Sequence, residues 1–357
     1  VPDEAKAKVG VIGLGVYGAL HARTYAAMDG AELTGVCDLR PDRSRDMAAE
    51  LGCNGYTDVQ QMLATCDLDA VSIALPDHLH ADAAITAARA GKHVLVEKPL
   101  ATTVDECLQV IAAAEESGVF LMTDFSQRWS PVMQLARKAV TEGDLGDVQL
   151  GYYRANDTIY VPTKMLSWGA QSTVAWFLAS HCLDNLMWLF DARDAYAGGA
   201  GDCIRRVRTV ARQSVLAARG LATPDFYLTT LEWESGMVTT LENCWILPES
   251  SPSVFDMKVQ LIGSRGTFHI DGSHSGVVEQ WAEKTSYLDP FAYLEVFGEP
   301  VGFATSSIRH FVSSVAKGVP PSVDGFDGLA VTRLILAMEK SIAVQAPVDI
   351  RNNPFRP

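Results

Sequence analysis

The sequence has no surplus of basic residues: 29 Lys and Arg stand against 43 Asp and Glu, a formal net charge of −14 over 357 residues. With no basic run or basic amphipathic stretch to offset it, that balance excludes partners held through their own negative charge, nucleic acid and anionic membrane surfaces alike. There is no apolar run near the ~18 residues a membrane-spanning helix needs, and no signal-like apolar core near the start. Cysteine is sparse. The seven, Cys37, Cys53, Cys66, Cys107, Cys182, Cys203 and Cys244, are odd in number, scattered and free of any C-x-x-C spacing. Neither a disulfide framework nor a metal site is expected, and reduced thiols in a cytoplasmic setting are. Internal repeats and low-complexity segments are also lacking.

What is present is alternation. "KVGVIG", "ELTGVCD", "AVSIAL", "HVLVEK" and "VFLMTD" read as strands, separated by Ala-rich helical stretches such as "ADAAITAARAG" and "TVDECLQVIAAAEESG". Strand and helix in turn, with short connections, predict a doubly wound parallel sheet over residues 1–124. The pattern changes after Asp124. Residues 125–357 read as an α+β domain with an open, mainly antiparallel sheet. Within it, "FYLTTLEWESGMVTTLENCWIL" carries two alternating strands joined at Ser235–Gly236, a hairpin signal. Such a chain belongs to the α/β class, and its length suffices for two cores.

"VGVIGLGVYG" places Gly13, Gly15 and Gly18 in G-x-G-x-x-G spacing between a strand and a helix. Gly13 permits the tight turn, Gly15 lets backbone approach a pyrophosphate, and Gly18 allows close helix–strand packing. The helix N-terminus, with Val16 and Tyr17, then offers amide donors to phosphate. Asp38, ending the second strand, is set to accept hydrogen bonds from ribose hydroxyls and to repel a 2′-phosphate. NAD is therefore the expected cofactor, with Leu39 beside it. Arg40, able to reach a phosphate, keeps NADP as an alternative.

Two further stretches narrow the reading. "ALPDHLHADAAITAARAGKHVLVEKPLATTVDE" holds Pro76, His80 and the run Glu97-Lys98-Pro99; "DFSQRWSPVMQLARKAVTEGDLGDVQ" holds Arg128 and Pro131. Together with the glycine turn, and with "VQLIGSRGTFHIDG" and "AMEKSIAVQAPV" further on, the chain resembles the Gfo/Idh/MocA family of NAD(P)-dependent oxidoreductases. The resemblance implies a Rossmann domain followed by an α/β domain whose sheet face serves the substrate and whose other surface supports homodimers or homotetramers. It implies oxidation or reduction of a carbinol carbon of a small-molecule carbohydrate or polyol. It also implies that Lys98 hydrogen-bonds the reacting oxygen near the nicotinamide, and that a helical histidine, here His181, is the second catalytic group. The family often shows D-x-G-x-H at that histidine. Here the segment is "FLASH", with Phe177 where the aspartate would stand and Ala179 for the glycine.

Hydride transfer needs a group to handle the hydroxyl proton, and histidine or a desolvated lysine suits that role near neutral pH. On a regular helix Phe177, Asp184 and Asn185 would share the His181 face, so either polar residue could orient the imidazole. Lys98 reads alternatively as a surface lysine paired with Glu97, and His181 as a core histidine. Arg128 reads as a pocket residue or as half of a domain-interface salt bridge. His80 reads as a structural hydrogen bonder in the cofactor crevice or as a direct participant, and His78 as loop. The loop "NDTIYVPTKMLSWGAQST" combines aromatic faces with hydroxyls, as a sugar ring requires, and makes Tyr160, Lys164 and Trp168 substrate-side candidates. Lys164 would favour an anionic substrate. An ordinary interface loop is the alternative. Three functions compete: a sugar or polyol dehydrogenase; a glycoside-cleaving enzyme working by transient oxidation and elimination; and a non-catalytic dinucleotide-binding sensor, since the family includes a transcriptional co-repressor.

Overall fold

The computed structural model of the chain describes residues 6–192 and 202–350. Two compact units emerge: Val1–Trp129 with Ala292–Leu329, and Ser130–Phe291 with Ala330–Pro357. The sequence suggests one cut, at 124/125; here the chain re-enters the first unit near its end. Among the described residues no helix is long and apolar enough to cross a membrane.

The first unit is built on six parallel strands: β1 (Ala7–Ile12), β2 (Ala31–Cys37), β3 (Asn54–Tyr56), β4 (Ala70–Ile73), β5 (His93–Glu97) and β6 (Leu121–Asp124). Their order is β3-β2-β1-β4-β5-β6, so the direction of winding reverses between β1 and β4. Such a reversal opens a crevice beyond the carboxyl ends of the two strands. Helices cover both faces, which is why β4 is buried at every residue and β5 at Val94, Leu95 and Val96, without alternation. β3 was not anticipated: three residues, "NGY", give no strand pattern and depend on pairing with β2. The helix Val104–Ser117 starts on a complete capping box, Thr103 with Glu106, and ends on Gly118 in a left-handed turn.

The returning segment explains its own membership. Its helix Phe303–Lys317 buries Ile308, Phe311 and Val312 and lies against the helix Val16–Ala27. At the start of the helix Gly325–Val344, a Cβ on Gly325 would lie 2.6 Å from Leu121 and one on Gly328 would lie 2.5 Å from Leu100. Only glycine permits that approach.

The second unit carries β7 (Val148–Thr158), β8 (Ile204–Arg212), β9 (Phe226–Trp233), β10 (Val238–Leu247), β11 (Phe255–Gly263) and β12 (Thr267–Asp271). With the short strand Val348–Asp349 they form a seven-stranded sheet in which only β7 and β10 run parallel. The expected hairpin joins β9 and β10, with Gly236 at φ +92. Alternate residues such as Tyr153, Leu241 and Val259 are buried on one face, where the helix Ser180–Leu189 packs: Asn185 donates to the Tyr153 hydroxyl at 2.9 Å. On the opposite face Leu150, Val210 and Leu228 are exposed.

Candidate functional site

The glycine turn between β1 and the helix Val16–Ala27 divides its tasks by residue. Gly13 has φ +90, and a Cβ there would come within 2.4 Å of the Ala74 carbonyl oxygen. At Gly18 a Cβ would lie 1.8 Å from the Gly13 backbone oxygen, so helix and turn touch only because Gly18 has no side chain. At Gly15 a Cβ would meet no described atom within 4 Å. Gly13 and Gly18 are demanded by the protein's own packing, and Gly15 leaves room for a ligand. Val16 is 70% exposed and Leu39 is 82% exposed, with Tyr17 also exposed, an apolar rim around the turn. These residues fit a dinucleotide: an open backbone cradle, helix amides and apolar surface for a base.

Asp38 stands at the end of β2 and accepts from two backbone amides, Leu14 at 2.8 Å and Arg40 at 2.9 Å. The carboxylate is thereby fixed against the glycine turn. Arg40 turns its guanidinium to Asp42, 2.6 Å away. Arg43, which the sequence reading passed over, has its guanidinium 3.9 Å from Asp38. Its signal was weak, one basic residue among several in an exposed helix.

Beyond β4, Pro76 is half-buried, His78 is exposed and His80 is buried. The His80 ring faces the Pro99 carbonyl oxygen through Nδ1 (2.6 Å) and the Leu75 carbonyl oxygen through Nε2 (2.8 Å). It thus ties the segment after β4 to the segment after β5. Lys98, in that second segment, is only 7% exposed, so the surface-lysine alternative is excluded.

Glu97 does not act as a simple partner of Lys98. Its carboxylate accepts from His21 Nε2 at 3.1 Å, and Asp124 Oδ2 lies 3.6 Å from the same nitrogen. His21 Nδ1 meets Ser72 Oγ at 3.0 Å, and Ser72 in turn bonds the Tyr25 hydroxyl. Burial alone would push the Glu97 carboxyl up; the His21 hydrogen bond and the nearby Lys98 charge outweigh it and bring the group below its usual range. Burial, with the Glu97 charge beside it, pushes Asp124 up to about 7. Sequence reading missed His21 and Asp124 because nothing local marks them. They meet Glu97 through the parallel pairing of β5 with β6 and the packing of the first helix.

Arg128 donates to Asp327 at 2.8 Å, both residues buried and both in the first unit. Its ion pair is therefore internal to that unit, not one between domains.

In the second unit the segment before His181 departs from a regular helix. Residues Ala175–Ala179 form a wide, π-type turn, and the regular helix begins at Ser180. The Phe177 ring packs between Trp168 (centroids 6.4 Å) and Trp245 (5.9 Å). His181 is half-buried at the start of the regular helix, followed by Asp184 and Asn185, both buried; the Asn185 amide is committed to Tyr153. The substrate-side loop contains a second wide turn, Val161–Met165. Tyr160 is 40% exposed there, and Lys164 pairs with Glu249 at 2.7 Å, so its charge is already answered.

Residues 7–125 match the family model described as an oxidoreductase family with an NAD-binding Rossmann fold, and residues 137–350 match the C-terminal alpha/beta domain of the same family. The chain belongs to the Gfo/Idh/MocA oxidoreductase family. It is 24% identical over 350 residues to a myo-inositol 2-dehydrogenase of Thermotoga maritima, covering 96% of this chain and 98% of that one. It is 28% identical over 263 residues to a 2,7-anhydro-N-acetylneuraminate hydratase of Escherichia coli, covering 73% of this chain and 67% of the hydratase. In fold it is similar to the crystal structure of scyllo-inositol dehydrogenase from Lactobacillus casei with bound NAD(H) and scyllo-inositol, at TM-score 0.79 and 19% identity, covering 98% and 100% of the two chains. As a Gfo/Idh/MocA member it carries an NAD-binding Rossmann domain, in keeping with the Asp38 placement and the open cradle at Gly15.

Proposed function

We propose that this chain is an NAD-dependent oxidoreductase moving a hydride between nicotinamide and a carbinol carbon of a sugar, glycoside or polyol. The observation that carries the reading is Lys98: a buried lysine directly after β5, in the Glu97-Lys98-Pro99 run, with an anionic network behind it. Names of relatives, such as the inositol dehydrogenase, support the substrate class. Gly13, Gly15, Val16, Tyr17, Gly18, Asp38, Leu39, Pro76 and His80 are the proposed cofactor residues, and bound NAD would supply the hydride acceptor. Lys98 and His181 are the proposed catalytic residues, each a group able to handle the hydroxyl proton. Tyr160, Trp168 and Phe177 offer aromatic faces for a ring's CH surface, and Arg128 is proposed as a positioning residue through its buried pair with Asp327. A cytoplasmic setting and a homo-oligomer complete the reading.

A panel of sugars, polyols and glycosides with NAD and NADP, following absorbance and product together, tests it. NADH should form with at least one free polyol or sugar, and Lys98→Ala should lower turnover by on the order of 10²–10⁴-fold while NADH still binds. Turnover with no carbohydrate overturns the reading. A second reading has its own observation: an aromatic ring in place of the family's carboxylate, together with a hydratase relative. Cleavage by transient oxidation and elimination returns the hydride, so product would then accumulate with no net NADH.

A further inference from the structure

The cluster behind Lys98 holds more acid than its hydrogen bonds allow to be ionised. Its members come from every element packed there: His21 and Tyr25 from the first helix, Ser72 from β4, Glu97 from β5, Asp124 from β6, and Ser307 from the helix Phe303–Lys317; the charges of Lys98 and His80 are also felt at Glu97. Nearly all are buried, and the donor atoms of His21, Glu97 and Asp124 lie within 4.8 Å of one another.

The protons can be placed by counting donors. Tyr25 has one hydrogen and one partner, Ser72, so it donates there. Ser72 then has its own hydrogen for His21 Nδ1, which must accept. That leaves the His21 proton on Nε2, donated to Glu97, an acceptor only as a carboxylate. At the other end, the Ser307 hydroxyl donates to the Ala304 carbonyl oxygen at 3.0 Å, as helical serines do. That hydrogen is therefore spent, the buried Asp124 Oδ1 meets no donor among the described residues, and Asp124 Oδ2 lies 3.6 Å from the His21 Nε2 already given to Glu97, so nothing there answers a second carboxylate. Two buried carboxyl groups this close cannot both ionise cheaply.

We infer that Asp124 holds a proton beside the Glu97 carboxylate, so that the floor behind Lys98 carries one negative charge near neutral pH and a second once that proton leaves. Asp124 is a positioning residue: it acts through the charge presented to Lys98 and to whatever lies against it. The elevated range found for the Asp124 carboxyl agrees with the donor count. The consequence for a nicotinamide rests on the NAD reading above. The oxidised ring is cationic and the reduced one neutral, so a second negative charge favours the oxidised form.

Infrared difference spectra of the wild-type chain, grown with aspartate labelled with carbon-13 at the side-chain carboxyl, test the proton directly and need no turnover. A neutral carboxylic acid band should be present at pH 6, shift with aspartate labelling, fade through about pH 7, and be missing in Asp124→Asn. No such band at pH 6, a band that follows glutamate labelling instead, or one that survives in Asp124→Asn overturns the proposal. Tryptophan-fluorescence titrations with NADH and NAD⁺ supply the second readout. The ratio of their Kd values should rise on the order of three- to tenfold from pH 6 to pH 8, as expected for one charge at partly screened distance, and stay flat in Asp124→Asn. A ratio that is flat in both overturns the positioning role. If neither nucleotide binds, the NAD reading fails, and the infrared result still decides the proton.

Discussion

The three glycines of the first turn are equivalent in a sequence pattern and unequal in the fold. Gly18→Ala drives a Cβ to 1.8 Å from a backbone oxygen and should cost about 3 kcal/mol or more of stability in denaturant unfolding. Gly15→Ala meets only open space, so unfolding should be nearly unchanged while NADH affinity, read by fluorescence, weakens on the order of tenfold. At Asp124 the sign of the pH effect is set by its raised range. From its ordinary 3.8 up to about 7 the folded chain keeps a proton that the unfolded chain has shed, so stability falls as pH rises through that window and levels above it. Melting temperatures across pH 4–8 should show that decline in the wild type and lack its Asp124 share in Asp124→Asn. The residues legible in the sequence were those with a local signature: the glycines, Asp38 at a strand end, the Glu97-Lys98-Pro99 run. His21 and Asp124, 103 positions apart by their numbers, had none.

Among elements, five strands of the parallel sheet and the β9–β10 hairpin were legible because burial on both faces, or on one, writes a period into the chain. The wide turns at Val161–Met165 and Ala175–Ala179 were not: "VPTKM" reads as loop, and the apolar "AWFLA" is equally compatible with a regular helix. Phe177 packs with Trp168 and Trp245, and Phe177→Asp would place a carboxylate against two indoles. The capping box on the helix Val104–Ser117 is local and fully legible. Thr103→Ala should destabilise the first unit by about 1 kcal/mol, measured by denaturant unfolding, without altering NADH binding.

For the whole molecule, the two-domain organisation followed from length and a change of pattern, whereas the return of Ala292–Leu329 to the first unit did not. That return brings Ser307 near Asp124 and pairs Asp327 with Arg128. The exposed Leu150, Val210 and Leu228 share one face of the seven-stranded sheet, by the register that sets Val210 against Leu228. If that face joins copies of the chain in the proposed homo-oligomer, Leu228→Glu should lower the mass seen by light scattering towards that of a single chain. An unchanged mass would assign the contact elsewhere.

By itself the sequence determined the α/β class, the dinucleotide turn, the Asp38 carboxylate and the candidates Lys98 and His181, because each depends on neighbours a few residues away. Only the tertiary structure decided that Lys98 is buried, that Phe177 faces tryptophans, that Arg128 is bound to Asp327, and that His21, Glu97 and Asp124 meet. Those are contacts between residues far apart in the chain, and burial and hydrogen-bond partners come into being only when the strands and helices that carry them are packed.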